Sequence, residues 1–297
     1  MLNRAAKRDN VQLDIQHLKQ WVGKTESRSD MVVITPIVAL AATLDRDDPT
    51  PQAHDFLPPL WHWLYFLPIH KQSDIGADGH PNRGGFLPPV PLPRRMWAGG
   101  RLDFLRPLGV GDVIERTSTV VSVDYKEGRS GGMVFVVVRH EISNHAGLAI
   151  VEEHDIVYRD MPVPGAPQTA PVVAPANSAW ERKIHPDDTL LFRYSALTFN
   201  SHRIHYSRNY VTEIEGYPGL AVHGPLIATL LLDLLRRQMP DAVVVAFSFR
   251  AVRPLFDIAA FHRLWQAIGR WKNNCTVGQG RERIPGDGGE RHACIAP

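Results

Sequence analysis

Cysteine is scarce in this chain. Its 297 residues include two, Cys275 and Cys294, too few for the disulfide framework of a small secreted scaffold. Both read as free thiols. Long apolar runs are missing as well: none approaches the ~20 residues that a membrane-spanning helix requires. The basic start MLNRAAKRDNVQLD lacks an apolar core, so a signal peptide is not expected and the cytoplasm is the expected compartment. Net charge is also low. With 33 Lys+Arg against 31 Asp+Glu the formal charge is +2, which gives no case for nucleic-acid binding and leaves only local arginine clusters as anion sites. A hydrophobic content of 44% with 22% charged residues suits one large or two ordinary domains with a real core.

The most informative stretch is Arg193 to Leu235. It opens on a polar run holding Asn200, His202, Arg203 and His205, and closes on an apolar run introduced by His223-Gly224-Pro225. Pro225 fits a first helical position, where its missing N–H is no loss. Leu226, Ile227, Leu230, Leu231, Leu232, Leu234 and Leu235 leave almost no polar face, so this helix should be buried nearly all round. Such a helix needs a wrapper, and a curved antiparallel sheet is one solution.

Elsewhere the pattern is plainer. A short amphipathic helix is expected over 10–21, a helix over 37–44 opened by Pro36, and a core helix in the aromatic run 58–67. Residues 73–112 are so rich in Gly and Pro that they read as an ordered loop, with Arg94, Arg95 and Arg101 inside it. Three strands follow, over 113–124, 132–143 and 148–159, with Asn144-His145-Ala146-Gly147 as a hairpin turn. Hairpins after a helix give an α+β fold. Residues 161–180 are proline-rich and read as a linker between a unit spanning 1–160 and a second spanning 181–260. The second unit should run from a strand over 189–198 through the polar site and buried helix to a strand over 243–250. Residues 261–297 show no strand pattern, so closing strands are expected to be missing from this tail, as a frame change near the gene's end would produce.

Tyr194 to His205, then Gly216-Tyr217-Pro218-Gly219 and His223-Gly224-Pro225, resemble the MaoC-like hydratases and dehydratases. The form FNSHRIHY, with GGFLPPVPLPRRMWAGG upstream, is similar to one subgroup: mitochondrial-type 3-hydroxyacyl-thioester dehydratases and the mesaconyl- and itaconyl-CoA hydratases. The family motif runs Asp-x-Asn-Pro-x-His. His205 matches its histidine, Asn200 stands where the aspartate usually is, and His202 stands where the asparagine is. The resemblance implies a double hotdog, two antiparallel sheets each wrapped round a helix. The first unit, without an Asn/His constellation, would hold substrate, and the second would be catalytic. A homodimer is the expected assembly.

Hydration of an enoyl thioester needs a deprotonated water, a proton for the α-carbon and a polarised thioester oxygen. His205 is the expected acid/base, because a free imidazole titrates near ~6.5. Asn200 cannot take a proton and is expected to orient the water or the histidine. His202 is either a second base or a support. Backbone N–H groups near His223 and Gly224 would polarise the thioester. Tyr217 and Gly219 would line the tunnel, Arg203 would hold a substrate carboxylate, and Arg94 and Arg95 the phosphates of coenzyme A. No metal or cofactor is expected, since His202 and His205 lack a matching third ligand. An acyl-carrier-protein dehydratase and a non-catalytic acyl-CoA-binding hotdog remain open at this point.

Overall fold

Alternating valines build the first sheet. Val134, Val136 and Val138 are buried on one face of strand β4 (Gly131–Asn144), which lies between β3 (Val113–Gly128) and β5 (Gly147–Arg159) in an antiparallel meander. The β4–β5 turn falls at the expected residues, with Gly147 at φ +104°, a conformation glycine adopts without steric cost. The computed structural model describes residues 13–128, 131–161, 178–251, 253–268, 272–279 and 293–296. Most of the expected linker, and the first residues of the expected 10–21 helix, lie outside them. The remaining described part of that helix is α1 (Ile15–Lys19), capped by Asp14.

Edge strand β1 (Thr25–Met31) pairs with β3. Helix α2 (Ile34–Thr43) follows, with Pro36 in its first turn as expected. The aromatic run forms only a short 3-10 turn over Trp61–Leu64, yet Trp61, Leu64, Tyr65 and Phe66 are all core. Residues 73–112 need correction. They are not loop throughout: Arg94–Phe104 is strand β2, hydrogen-bonded to β5 on one side. Its glycines obscured it. A Cβ on Gly99 would lie 2.6 Å from the Phe249 carbonyl oxygen, so glycine marks a close backbone approach beside a register shift.

The second half holds β6 (Trp180–Ile184), α3 (Asp188–Leu197), α4 (Gly224–Gln238) and β7 (Val243–Arg250). The strand expected over 189–198 is instead helix α3. Asp187 accepts a hydrogen bond from the Leu190 amide, a cap that specifies a helix start. The tail also departs from expectation. Its backbone carries three further strands, β8 (Phe261–Ile268), β9 (Lys272–Gln279) and β10 (Ala293–Ala296), which pair with one another and with β6 and β7. Gly and Arg alternation hid them.

All ten strands form one sheet, in the order β1-β3-β4-β5-β2-β7-β10-β9-β8-β6. Strands up to Arg159 make one side and those from Trp180 the other, joined where β2 runs antiparallel to β7. The buried helix is as read: Leu226, Leu230, Leu231, Leu234 and Leu235 are all within the core, and α4 packs across β2, β6, β8 and β9. This is the helix-in-sheet arrangement that the resemblance implies, with the two expected sheets continuous as one. No helix among the described residues is long and apolar enough to cross a membrane.

Candidate active site

Helix α3 delivers the polar run. After Leu197 the chain turns through Phe199 at φ +50°, and the Asn200 amide bonds back to the Ser195 carbonyl at 2.8 Å. Asn200 Oδ1 accepts from the His202 amide at 3.0 Å. The side chain therefore shapes its own turn through Oδ1, and its NH2 group remains to donate. A single 3-10 turn, Arg203–His205, then seats His205 in the interior, 7% exposed.

His205 Nδ1 donates to the Ala221 carbonyl at 2.7 Å. That bond fixes the tautomer and leaves the lone pair on Nε2. The ring stacks on His223 with centroids 3.7 Å apart and planes 18° apart. His223 caps α4 from a fully buried position, its Nε2 2.8 Å from Ser195 Oγ. Burial pushes His205 down to about 4, against the Ala221 bond and with help from His80. Burial, then the neighbouring imidazoles, also holds His202 and His223 below the usual range. All three rings are neutral near pH 7, the form in which an imidazole is a base.

A loop from the first half completes the site. Ser201 Oγ donates to the Gly79 carbonyl at 2.6 Å, the Arg203 amide donates to the Asp78 carbonyl at 2.8 Å, and Arg203 Nη1 to the Ala77 carbonyl at 3.2 Å. Gly79 has φ +88°, and a Cβ there would lie 1.8 Å from the Ser201 oxygen, so no other residue fits without the loop moving. The docked loop puts the His80 ring against that of His202, centroids 3.9 Å apart and planes tilted by 41°. His80 Nδ1 lies 3.0 Å from Asp78 Oδ2. A cavity of about 380 Å³ opens beside this pair, with Arg83, Arg95 and Tyr210 also in its wall. Asp78, His80 and His202 bring one ligand atom each within 4.8 Å of the others, the arrangement among the described residues that could hold a metal ion.

The other expected site residues divide. Arg95 lines the cavity, and no described carboxylate forms an ion pair with it. Arg94 does not: it is buried, bonded to Glu215 Oε2 at 3.0 Å and to the Glu215 carbonyl at 2.7 Å, and stacked on Tyr217. It clamps the Tyr217 turn to β2. Arg101 is spent on Glu153 and Asp155. Arg203 lies over Tyr210 at 4.4 Å and bridges to the first-half loop. Gly219 packs where a Cβ would meet Asp257 Oδ1 at 2.5 Å, and Gly224 faces the Trp97 ring at an ordinary 3.8 Å. Sequence reading missed Asp78, His80, Trp97 and Ser195. The Asp-Gly-His spacing inside a glycine-rich turn was the available signal for the first two.

Residues 60–257 match the family described as hydroxyacyl-thioester dehydratase type 2. The chain belongs to this family. It is 50% identical over 252 residues to the mesaconyl-C(4)-CoA hydratase of Chloroflexus aurantiacus, covering 84% of this chain and 89% of that protein. Among solved structures, a MaoC-like dehydratase from Phytophthora capsici superposes with a TM-score of 0.66 at 10% identity, over 95% of this chain and 98% of that one. A Mycobacterium tuberculosis protein described as having a double hotdog fold gives 0.56 at 11% identity, over 92% and 94%. At such identities the structural likenesses speak for the fold alone. The chain is thus a hotdog hydro-lyase of acyl thioesters, and the alternative of a non-catalytic binder falls away.

Proposed function

We propose that this dehydratase-family enzyme adds water to a short branched dicarboxylic enoyl-CoA of the mesaconyl-C4-CoA kind, and removes it in reverse. The 50% identity to a mesaconyl-C(4)-CoA hydratase over most of both chains carries this reading. His205 Nε2 takes a proton from water as the oxygen bonds to the β-carbon. The electron pair moves through the α-carbon onto the thioester oxygen. It returns as the α-carbon takes a proton from the imidazolium, so one water enters and nothing else is consumed. The thioester oxygen would sit at the start of α4, whose first N–H groups have no helical partner. Asn200 holds the turn that carries the histidines and offers its NH2 to the water.

Arg95, half-buried in the cavity wall beside His80, suits the free carboxylate better than Arg203, whose guanidinium already bridges to Ala77 and Ser207. In this reading the first half holds the acyl-CoA and the second does the chemistry, in a cytoplasmic homodimer. Cell fractionation and light scattering test the last two points. For the substrate, kcat/KM is compared between mesaconyl-C4-CoA and crotonyl-CoA by loss of the conjugated thioester absorbance. The dicarboxylic substrate should be preferred by about 10-fold or more, roughly the worth of one charge-assisted contact. Preference for crotonyl-CoA, or for a carrier-protein thioester, would overturn the assignment.

A further inference from the structure

The motif position that usually carries a carboxylate holds Asn200, and the histidines around it are all neutral. Among the described residues of the second half, a transient imidazolium at His205 would have the Ala221 carbonyl against it and no carboxylate bonded to it. Desolvated charge without a counter-charge is expensive. The first half offers one. Asp78 and His80 sit at the tip of a hairpin closed by the Gly76 amide to the His80 carbonyl at 2.8 Å, and the hairpin docks on Ser201 and Arg203 through backbone carbonyls. The side chains are left over from docking. They face inward: Asp78 to His80, His80 to His202 at 3.9 Å, and His202 to His205 at 5.4 Å with rings perpendicular.

We propose that the Asp78–His80 pair is the positioning and charge-compensating partner of His205, supplied across the two halves in place of the carboxylate absent at position 200. This rests on the hydro-lyase reading. Asp78 fixes His80 with its Nδ1–H toward the carboxylate and its ring against His202. When water is deprotonated, the positive charge developing on the imidazole array is held against Asp78. When the α-carbon is protonated the charge disappears, so the pair gains and loses no proton over a turnover. At rest the pair is an ionised carboxylate beside a neutral imidazole. Burial opposes ionisation of Asp78, but hydrogen bonds from the His80 ring and amide prevail and hold its carboxyl below the usual range. Burial keeps His80 neutral against the pull of Asp78, with Arg95 and Arg83 adding to the effect. The groups facing His80 are therefore Asp78 and Arg83 from its own loop, Arg95 from β2 and His202 from the second half.

The test is steady-state kinetics of Asp78→Asn. Asparagine keeps the backbone docking and can still accept from the His80 amide, but loses the charge and the acceptor for His80 Nδ1–H. We expect kcat to fall about 10- to 100-fold, less than the ~100- to 10,000-fold of a group that itself transfers the proton, because the pair acts through His205. KM should stay within about 3-fold, as for an interaction realised in the transition state, and the melting temperature should not change. His80→Gln should behave alike, and Asp78→Glu should recover part of the loss. Wild-type turnover in Asp78→Asn would overturn the proposal while leaving the hydro-lyase reading intact. A joint fall of kcat, KM and melting temperature would do the same, showing that the side chain only props the loop. Activity lost to a chelator and regained with added divalent metal would also overturn it, by making Asp78, His80 and His202 a cation site. A wild-type enzyme inert on every enoyl-CoA would take both readings down together.

Discussion

At the scale of single residues, His205 shows how a motif match gains chemical content. The match names a histidine. The structure adds the bond to Ala221 that leaves Nε2 basic, and the burial that sets its titration. The acid limb of kcat/KM should therefore lie near the depressed value of about 4, with activity flat through the region where an ordinary imidazole, near ~6.5, would already have protonated. A limb centred near ~6.5 would mean that a wetter group is the base. Stability moves with pH in its own way. His205, His202 and His223 are all held below their ordinary range, so below ~6.5 the unfolded chain binds more protons and stability declines toward pH ~4. Far-UV circular dichroism at each pH separates the two effects. Asn200 was legible as a departure from the family and as a group unable to carry a proton. That its oxygen would turn inward to the His202 amide was not, because side-chain to backbone bonds of this kind compete with every other use of an Asx residue.

Elements were legible where one period dominated. The valine alternation of β3 to β5 and the leucines of α4 could be read directly, since each pattern admits one way to bury its apolar face. β2 was hidden because its glycines serve a close approach to β7 that lies far away in sequence. α3 was hidden because the Asp187 cap, not a strong apolar period, defines it. Even α4 holds something its apolar run conceals. Asp233 is 3% exposed and takes Arg46 at 2.8 Å, Arg182 at 2.8 Å and Arg237 at 2.9 Å. Arg182 and Arg237 also reach the Leu44 carbonyl after α2, so this carboxylate ties the far end of α4 to the first half. Asp233→Ala should cost about 3–5 kcal/mol, the range for breaking a buried charge cluster from one side, measured by urea unfolding. A loss under about 1 kcal/mol would show the cluster to be solvated like a surface pair.

For the whole molecule, the proline-rich stretch leads the sequence reading to expect two units, and the resemblance implies a hotdog for each. It does not show that the active site belongs to both. Loop 76–80 and segment 200–205 are 120 residues apart, and only the joined sheet and the glycine-tight fit of Gly79 on Ser201 bring them together. The account depends most on one imidazole at that seam. The direct measurement is turnover of His205→Ala at saturating mesaconyl-C4-CoA, alongside acyl-CoA affinity by titration calorimetry. The variant should lose at least about 100-fold in kcat while binding acyl-CoA as the wild type does. Turnover near the wild-type rate in a folded, ligand-binding variant would contradict the account.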